Sequence, residues 1–163
     1  MLKIDTQLRG DKDNPYHLSI GQVIENKSNK IALIKKKNGI ITLPRETAYL
    51  EENYIDTLRR GAESEVGVTI SIIRYLGSLI TFFNRDRNSK VEKTTIYFYT
   101  KVIDKTEKSL AKYELDDIVI WKDYDETIHL LNSQNNKEAE IVKRVLNIWI
   151  GEPPETVLQP ITN

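Results

Sequence analysis

Between Leu43 and Val68 the chain reads LPRETAYLEENYIDTLRRGAESEVGV, and charged groups crowd there. Carboxylates stand at Glu46, Glu51, Glu52, Asp56, Glu63 and Glu65, and guanidiniums at Arg45, Arg59 and Arg60. Splitting a diphosphate requires charge neutralised at the bridging and leaving oxygens, and a water held in line. Magnesium does this through a few carboxylates while keeping several waters. Two carboxylates four residues apart on a helix share a face and converge on one ion. A plainer role exists as well. Asp56–Arg60 and Arg59–Glu63 are i, i+4 pairs of the kind found on solvated helix faces, each worth roughly a few tenths of a kcal/mol.

Other cations stand nearby. Lys35, Lys36 and Lys37 precede Arg45 closely in sequence and form either a phosphate-facing patch or a solvated lysine turn. Competing chemistries are absent from the sequence. There is no cysteine, which removes disulfides, thiolate zinc sites and cysteine nucleophiles. His17 and His129 fit no H-E-x-x-H pattern, and there is no Walker loop, G-x-G-x-x-G or G-x-S-x-G. Lys plus Arg equals Asp plus Glu at 24 each, so the basic excess of a duplex-binding protein is missing and nucleic acid is not the expected partner. No apolar run approaches signal-peptide or membrane-spanning length, and the expected location is cytoplasmic.

The elements that must position these groups follow from periodicity. Residues 1–15 are polar and read as an N-terminal extension, with a short edge strand at Leu2 to Ile4. His17 to Ile24 alternates as a half-buried strand, Asn26 to Asn29 is a turn, and Lys30 to Lys35 is a second strand. Asn38-Gly39 is a tight turn, and Ile40 to Leu43 is a third strand stopped by Pro44. The spacing of Ile55, Leu58, Ala62 and Val66 predicts one helix over Tyr54 to Val66, capped by Asn53 and ended by Gly67. Thr69 to Phe83 reads as one or two strands broken near Gly77. Asn84 to Lys93 reads as a charged loop, Thr94 to Ile103 as a strand, and Asp104 to Lys112 as a loop. Tyr97, Phe98 and Tyr99 read as strand core and surface rather than a base-stacking platform. Ile118 to Trp121 is a short strand. Helices follow over Tyr124 to Leu131 and Asn136 to Ile150, the second with a stripe of Val142, Val145, Leu146 and Trp149. Gly151 ends it, and Pro153-Pro154 opens an extended tail.

The stretch Leu43 to Val68 resembles the Nudix box, G-x5-E-x7-R-E-U-x-E-E-x-G-U with U aliphatic. Without a gap, Glu52 matches the first Glu, Arg60 the Arg, Glu65 the second Glu of the pair, and Gly67-Val68 the ending. Four positions depart: Arg45 and Glu46 stand where glycines are expected, Gly61 where the next Glu belongs, and Ser64 at the first Glu of the pair. The resemblance implies a pair of acids four residues apart at positions 61 and 65, of which this chain keeps Glu65 alone. Leu43-Pro44, Leu76-Gly77, the strand TIYFYTKV and the segment Trp121 to Glu126 are also similar to the family, so the likeness runs from Leu18 to Leu146. The resemblance implies an α/β fold of the α+β kind, an α/β/α sandwich with a mixed sheet between helices. It implies one domain over 16–151 and a tail over 152–163. It also implies a magnesium or manganese cofactor held by Glu65, Glu52 and Glu46, with Glu65, Glu52 and Arg60 as catalytic residues. Arg45 and Lys36 are the expected substrate-binding residues. Arg60 either fixes the loop through Glu52, as the family arginine does, or pairs with Asp56. Glu46, Glu51, Glu114, Asp116 and Asp117 are the acids available to compensate for Gly61.

Two functions follow. One is a hydrolase of a nucleoside diphosphate linked to another moiety, with an atypical or weakened metal site. The other is a catalytically inactive domain of the same fold that binds a nucleotide or a protein partner. The N-terminal extension could pair across a homodimer.

Overall fold

The computed structural model describes residues 7–87, 89–106 and 116–146 and the backbone of 157–158, with Arg85 and Asp86 described by backbone alone. The elements run β1 (Tyr16–Glu25), β2 (Ile31–Lys35), β3 (Ile41–Thr42), β4 (Arg45–Thr47), α1 (Tyr54–Gly61), β5 (Val68–Asp86), β6 (Ser89–Lys105), β7 (Ile118–Lys122), α2 (Tyr124–Ser133), α3 (Glu138–Lys143) and β8 (Val157–Leu158). The strands join in one mixed sheet of order β3-β2-β1-β6-β5-β8, with β4 pairing β1 and β7 pairing β2. β1 runs parallel to β6 from Tyr16 opposite Glu92 to Glu25 opposite Lys101. Its other edge takes β4 antiparallel, with Gly21 opposite Arg45 and Ile20 opposite Glu46.

Alternation along the central strands feeds two cores, because successive side chains point to opposite faces. Val23, Leu33, Leu76 and Tyr97 pack with Leu131, Ile141 and Val142 of α2 and α3. Ile20, Ile24, Ala32 and Ile70 pack with Leu58 and Ala62 on the opposite side. Helices thus cover both faces, the α/β/α sandwich expected. Among the described residues no helix is long and apolar enough to cross a membrane.

Several boundaries differ from the sequence reading, each for a physical reason. The helix predicted over Tyr54 to Val66 is α-helical only to Gly61, then widens into a π-helical turn over Ala62–Val66. Gly67, at φ 75°, closes it by donating to Ala62 O and Glu63 O, and only glycine adopts that conformation without strain. The strand expected to break at Gly77 is continuous; register shifts, including one between Tyr75 and Gly77, bend it against β6 instead. The expected loop at Asn84 to Lys93 is mostly strand, since β5 and β6 run on to Asp86 and Ser89. Long-range pairing holds these charged residues extended where local pattern favoured a loop. β6 likewise continues to Lys105. The last helix is short: Val142 and Val145 are buried as predicted, but Leu146 is exposed. The strand at Leu2 to Ile4, residues 107–115, Trp149, Gly151 and Pro153-Pro154 lie outside the described residues.

The extension folds back. Leu8 N–H donates to Ala48 O, Leu18 N–H donates to Leu8 O, and Gly10 N–H donates to His17 Nδ1 at 3.2 Å. This places Arg9 over the end of the sheet where β4 lies.

Candidate functional site

β4 organises the site. It starts directly after Pro44, and its alternation sends Arg45 and Thr47 to one face and Glu46 to the other. Glu46 faces α1. A β-carbon added at Gly61 would lie 3.0 Å from Glu46 Cβ, closer than side chains pack without moving. Glu46 therefore fills the space into which a side chain at position 61 would grow.

Arg60 settles its two readings in favour of Glu52. Its Nε donates to Glu52 Oε1 at 2.7 Å and its Nη2 to Glu52 Oε2 at 2.8 Å, a two-pronged pair. Nη2 also donates to Thr47 O at 2.9 Å, Nη1 lies 2.9 Å from Glu46 Oε1, and the guanidinium covers the Tyr49 ring. Glu52 further accepts from Thr57 Oγ1 and Tyr49 N–H. The hydrogen bond from Arg60 first, then those from Thr57 and Tyr49, outweigh burial and hold the Glu52 carboxyl below its ordinary range. Burial opposes charge on Arg60, but Glu52 and Glu46 raise its pKa above the ordinary arginine value.

Glu65 lies elsewhere. With Arg9, His17, Lys36, Arg45 and Lys93 it lines a cavity of about 180 Å³. The π-turn makes its bonds five residues apart rather than four, so the α-helical relation assumed between Gly61 and Glu65 is not kept. Of the three acids expected to hold a metal, Glu65 alone lines this cavity, while Glu46 and Glu52 are engaged by Arg60. Ser64 donates weakly to Glu46 Oε2 at 3.3 Å. Asp117 and Asp116 pair with Lys36 at 2.6 Å and Lys37 at 3.3 Å, and Glu114 lies outside the described residues. Among the described residues no three acids or histidines gather closely enough to hold an ion. As arranged, the donor set does not fit the several-oxygen shell that magnesium or manganese takes.

The cavity is instead cationic. Arg45 is fixed from behind by Glu138, a residue the sequence reading missed. Glu138 is 1% exposed and accepts from Tyr97 Oη at 2.5 Å, Leu43 N–H at 3.0 Å and Asn136 Nδ2 at 2.8 Å. Arg45 Nε stands 3.8 Å from its Oε2. Burial opposes the charge on Arg45, but Glu138, then Tyr97 and Glu65, raise its pKa. Burial and next the Glu138 carboxylate push the Tyr97 phenol well up. Lys93, opposite His17 on β6, is also new to the site. Burial first and Arg45 second bring its ammonium down to about 7, against the opposing pull of Glu138 and Glu65. Among the described residues it makes no hydrogen bond or ion pair. His17 is buried; its Nδ1 accepts from Gly10, so the ring proton sits on Nε2 between Ser19 Oγ at 3.2 Å and Thr47 Oγ1 at 3.3 Å.

Lys36, Thr42 and Arg45 are shared with a wider cleft of about 590 Å³ that Lys37, Asn38, Ile40 and Asp117 complete. Of the sequence-predicted residues, the structure thus brings Arg45, Lys36 and Glu65 to one cavity and Arg60, Glu52 and Glu46 to a separate cluster. Lys93 and Arg9 were hidden in segments read as loop and extension. Glu138 had one signal, its place one turn before Ile141 and Val142, on their side of the helix.

Solved structures share this fold. The MutT protein of Methanosarcina mazei Go1 superposes with a TM-score of 0.58 at 18% identity, over 80% of this chain and 92% of that one. A NUDIX hydrolase from Nitrosomonas europaea gives 0.58 at 16%, over 79% and 85%. An ADP-ribose pyrophosphatase from Streptococcus suis 89-1591 gives 0.55 at 11%, over 88% and 98%. No curated protein matches the sequence. The sequence model of the NUDIX domain matches residues 15–145, from the residue before β1 to just past α3, and by that match the chain belongs to the NUDIX family.

Proposed function

We propose that this NUDIX domain binds a nucleotide-type ligand through its diphosphate and does not cleave it by the metal-dependent route of the family. The observation that carries this is the acid set. Gly61 and Ser64 carry no carboxylate, Glu46 is ion-paired with Arg60, and among the described residues no three acids or histidines gather closely enough to hold an ion. The ligand class is supported by family membership, by the adjoining cleft of about 590 Å³, which has room for a nucleoside, and by the cations at its inner end. The test is a panel of nucleoside diphosphates linked to a second group, ADP-ribose included, incubated with magnesium or manganese. Binding by calorimetry without phosphate or nucleotide release is the expected result; metal-dependent release at an enzyme's ordinary rate overturns it.

A second reading is an active hydrolase with a rebuilt metal site. It is favoured by Glu46, whose side chain takes the space beside Gly61 where the family carries a carboxylate. The same panel separates the two.

A further inference from the structure

The cavity behind Arg45 is small, polar and lined by side chains from distant parts of the chain. Arg9 comes from the folded-back extension, Lys36 from the end of β2, Arg45 from β4 and Lys93 from β6. Glu65 is the acid among the lining residues. At about 180 Å³ it has room for a phosphate group with some water, since a water takes about 30 Å³. Two of the cations have dedicated support. Arg45 is backed by buried Glu138, and Glu138 is itself held by three hydrogen-bond donors. Lys93 is more telling: a half-buried ammonium beside a guanidinium, with no hydrogen-bond partner among the described residues. Desolvating an unpaired cation next to another cation is unfavourable unless an anion completes the arrangement. The other two are tethered, Lys36 to Asp117 and Arg9 to Gln7, which holds them at the rim.

We propose that Arg45 and Lys93 form an anion subsite that holds one phosphate of a diphosphate ligand directly, with no bridging metal, in competition with Glu65. This rests on the reading of the domain as a diphosphate binder, and it names the contacts. The fixed guanidinium gives planar, directional hydrogen bonds and the lysine a mobile point charge. Glu65 lines the same cavity and its charge acts on both cations, so an entering phosphate competes with it for them. The opening shared through Lys36, Thr42 and Arg45 leaves the remainder of the ligand in the wider cleft.

The competition gives a test whose sign differs from that of a metal site. Inorganic pyrophosphate is titrated calorimetrically into the full chain in EDTA. Saturable binding is expected. Lys93→Met and Arg45→Gly each weaken it about tenfold or more, the worth of a hydrogen bond to a charged group. Glu65→Gln strengthens it several-fold, a gain that misfolding cannot mimic. No binding in EDTA, or a Glu65→Gln variant that binds unchanged or more weakly, overturns the subsite. If nucleoside diphosphates bind only with magnesium present, the domain remains a binder and this subsite is wrong. Cleavage of those compounds sinks the non-hydrolytic reading, while the pyrophosphate titration in EDTA still decides the subsite.

Discussion

Glu46 and Gly61 are reciprocal: the β-carbon of Glu46 stands 3.0 Å from the point where residue 61 would carry its own. The Nudix pattern has glycine at the first position and glutamate at the second, and this chain has the two exchanged. The contact explains why both departures occur together. Two side chains there meet more tightly than ordinary packing, so one of them has to shift. Putting glutamate back at position 61 alone should therefore cost about 1–3 kcal/mol through overpacking. Glu46→Gly in the same chain should recover most of that loss, giving a non-additive cycle. Urea denaturation of the four proteins reads it; additive effects would show that the two positions do not compete for space.

The Arg60–Glu52 pair should set the acid limit of stability. The carboxyl of Glu52 is held below its ordinary 4.5 by Arg60, so its contribution is complete above that value and is lost as pH falls through the lower folded pKa. Glu52→Gln should flatten the stability profile below about pH 4.5. Arg60→Lys should cost about 1–3 kcal/mol, because an ammonium cannot keep the two-pronged geometry. An unchanged acid profile in Glu52→Gln would contradict this assignment.

Lys93 predicts a second rise of stability with pH, on the alkaline side. Its pKa is lowered from 10.5 to about 7 on folding. Between those values the unfolded chain binds the extra proton, so stability rises with pH through this window. Lys93→Met should remove that rise in chemical denaturation between pH 7 and 10. An anion at the subsite pulls the pKa back up, so binding above pH 7 should take up protons, measurable by calorimetry in buffers of different ionisation enthalpy. Proton release, or none, would contradict the contact.

Glu138 ties β3's end, β6 and α3 together behind Arg45. Glu138→Ala leaves the Leu43 N–H, the Tyr97 hydroxyl and the Asn136 amide without their acceptor and should cost about 2–4 kcal/mol. Tyr97→Phe should be milder, since it removes one donor and leaves the carboxylate two hydrogen-bonded partners. Equal losses in the two variants would show that Glu138 acts only through Tyr97.

Local chemistry made part of this legible in the sequence. The Asn53 cap, the Leu58 and Ala62 stripe and the Gly67 stop are each determined within a few residues, and all three stand in the structure. The Arg60–Glu52 pair was one of two readings open for Arg60, since Glu52 and Asp56 both lie within eight residues of it. Lys93 and Arg9 were not. Their places depend on β1 pairing with β6 and on the extension turning back along β1, partnerships that no local window contains. Arg45 and Glu46 were read as loop because Pro44 ends the preceding strand. Pairing with Gly21 and Ile20 makes them a strand and separates their side chains to opposite faces. The π-turn was equally invisible, since Ala62 to Val66 fits an α-helical pattern as well.

The most direct test follows one sample of protein and a nucleoside diphosphate linked to a second group, such as ADP-ribose. Affinity is measured in EDTA and again with saturating magnesium, and phosphorus NMR follows the magnesium sample for cleavage. The account predicts binding in EDTA, comparable affinity with magnesium and an intact diphosphate throughout. Binding that requires magnesium, or a diphosphate split only when the metal is present, would contradict it.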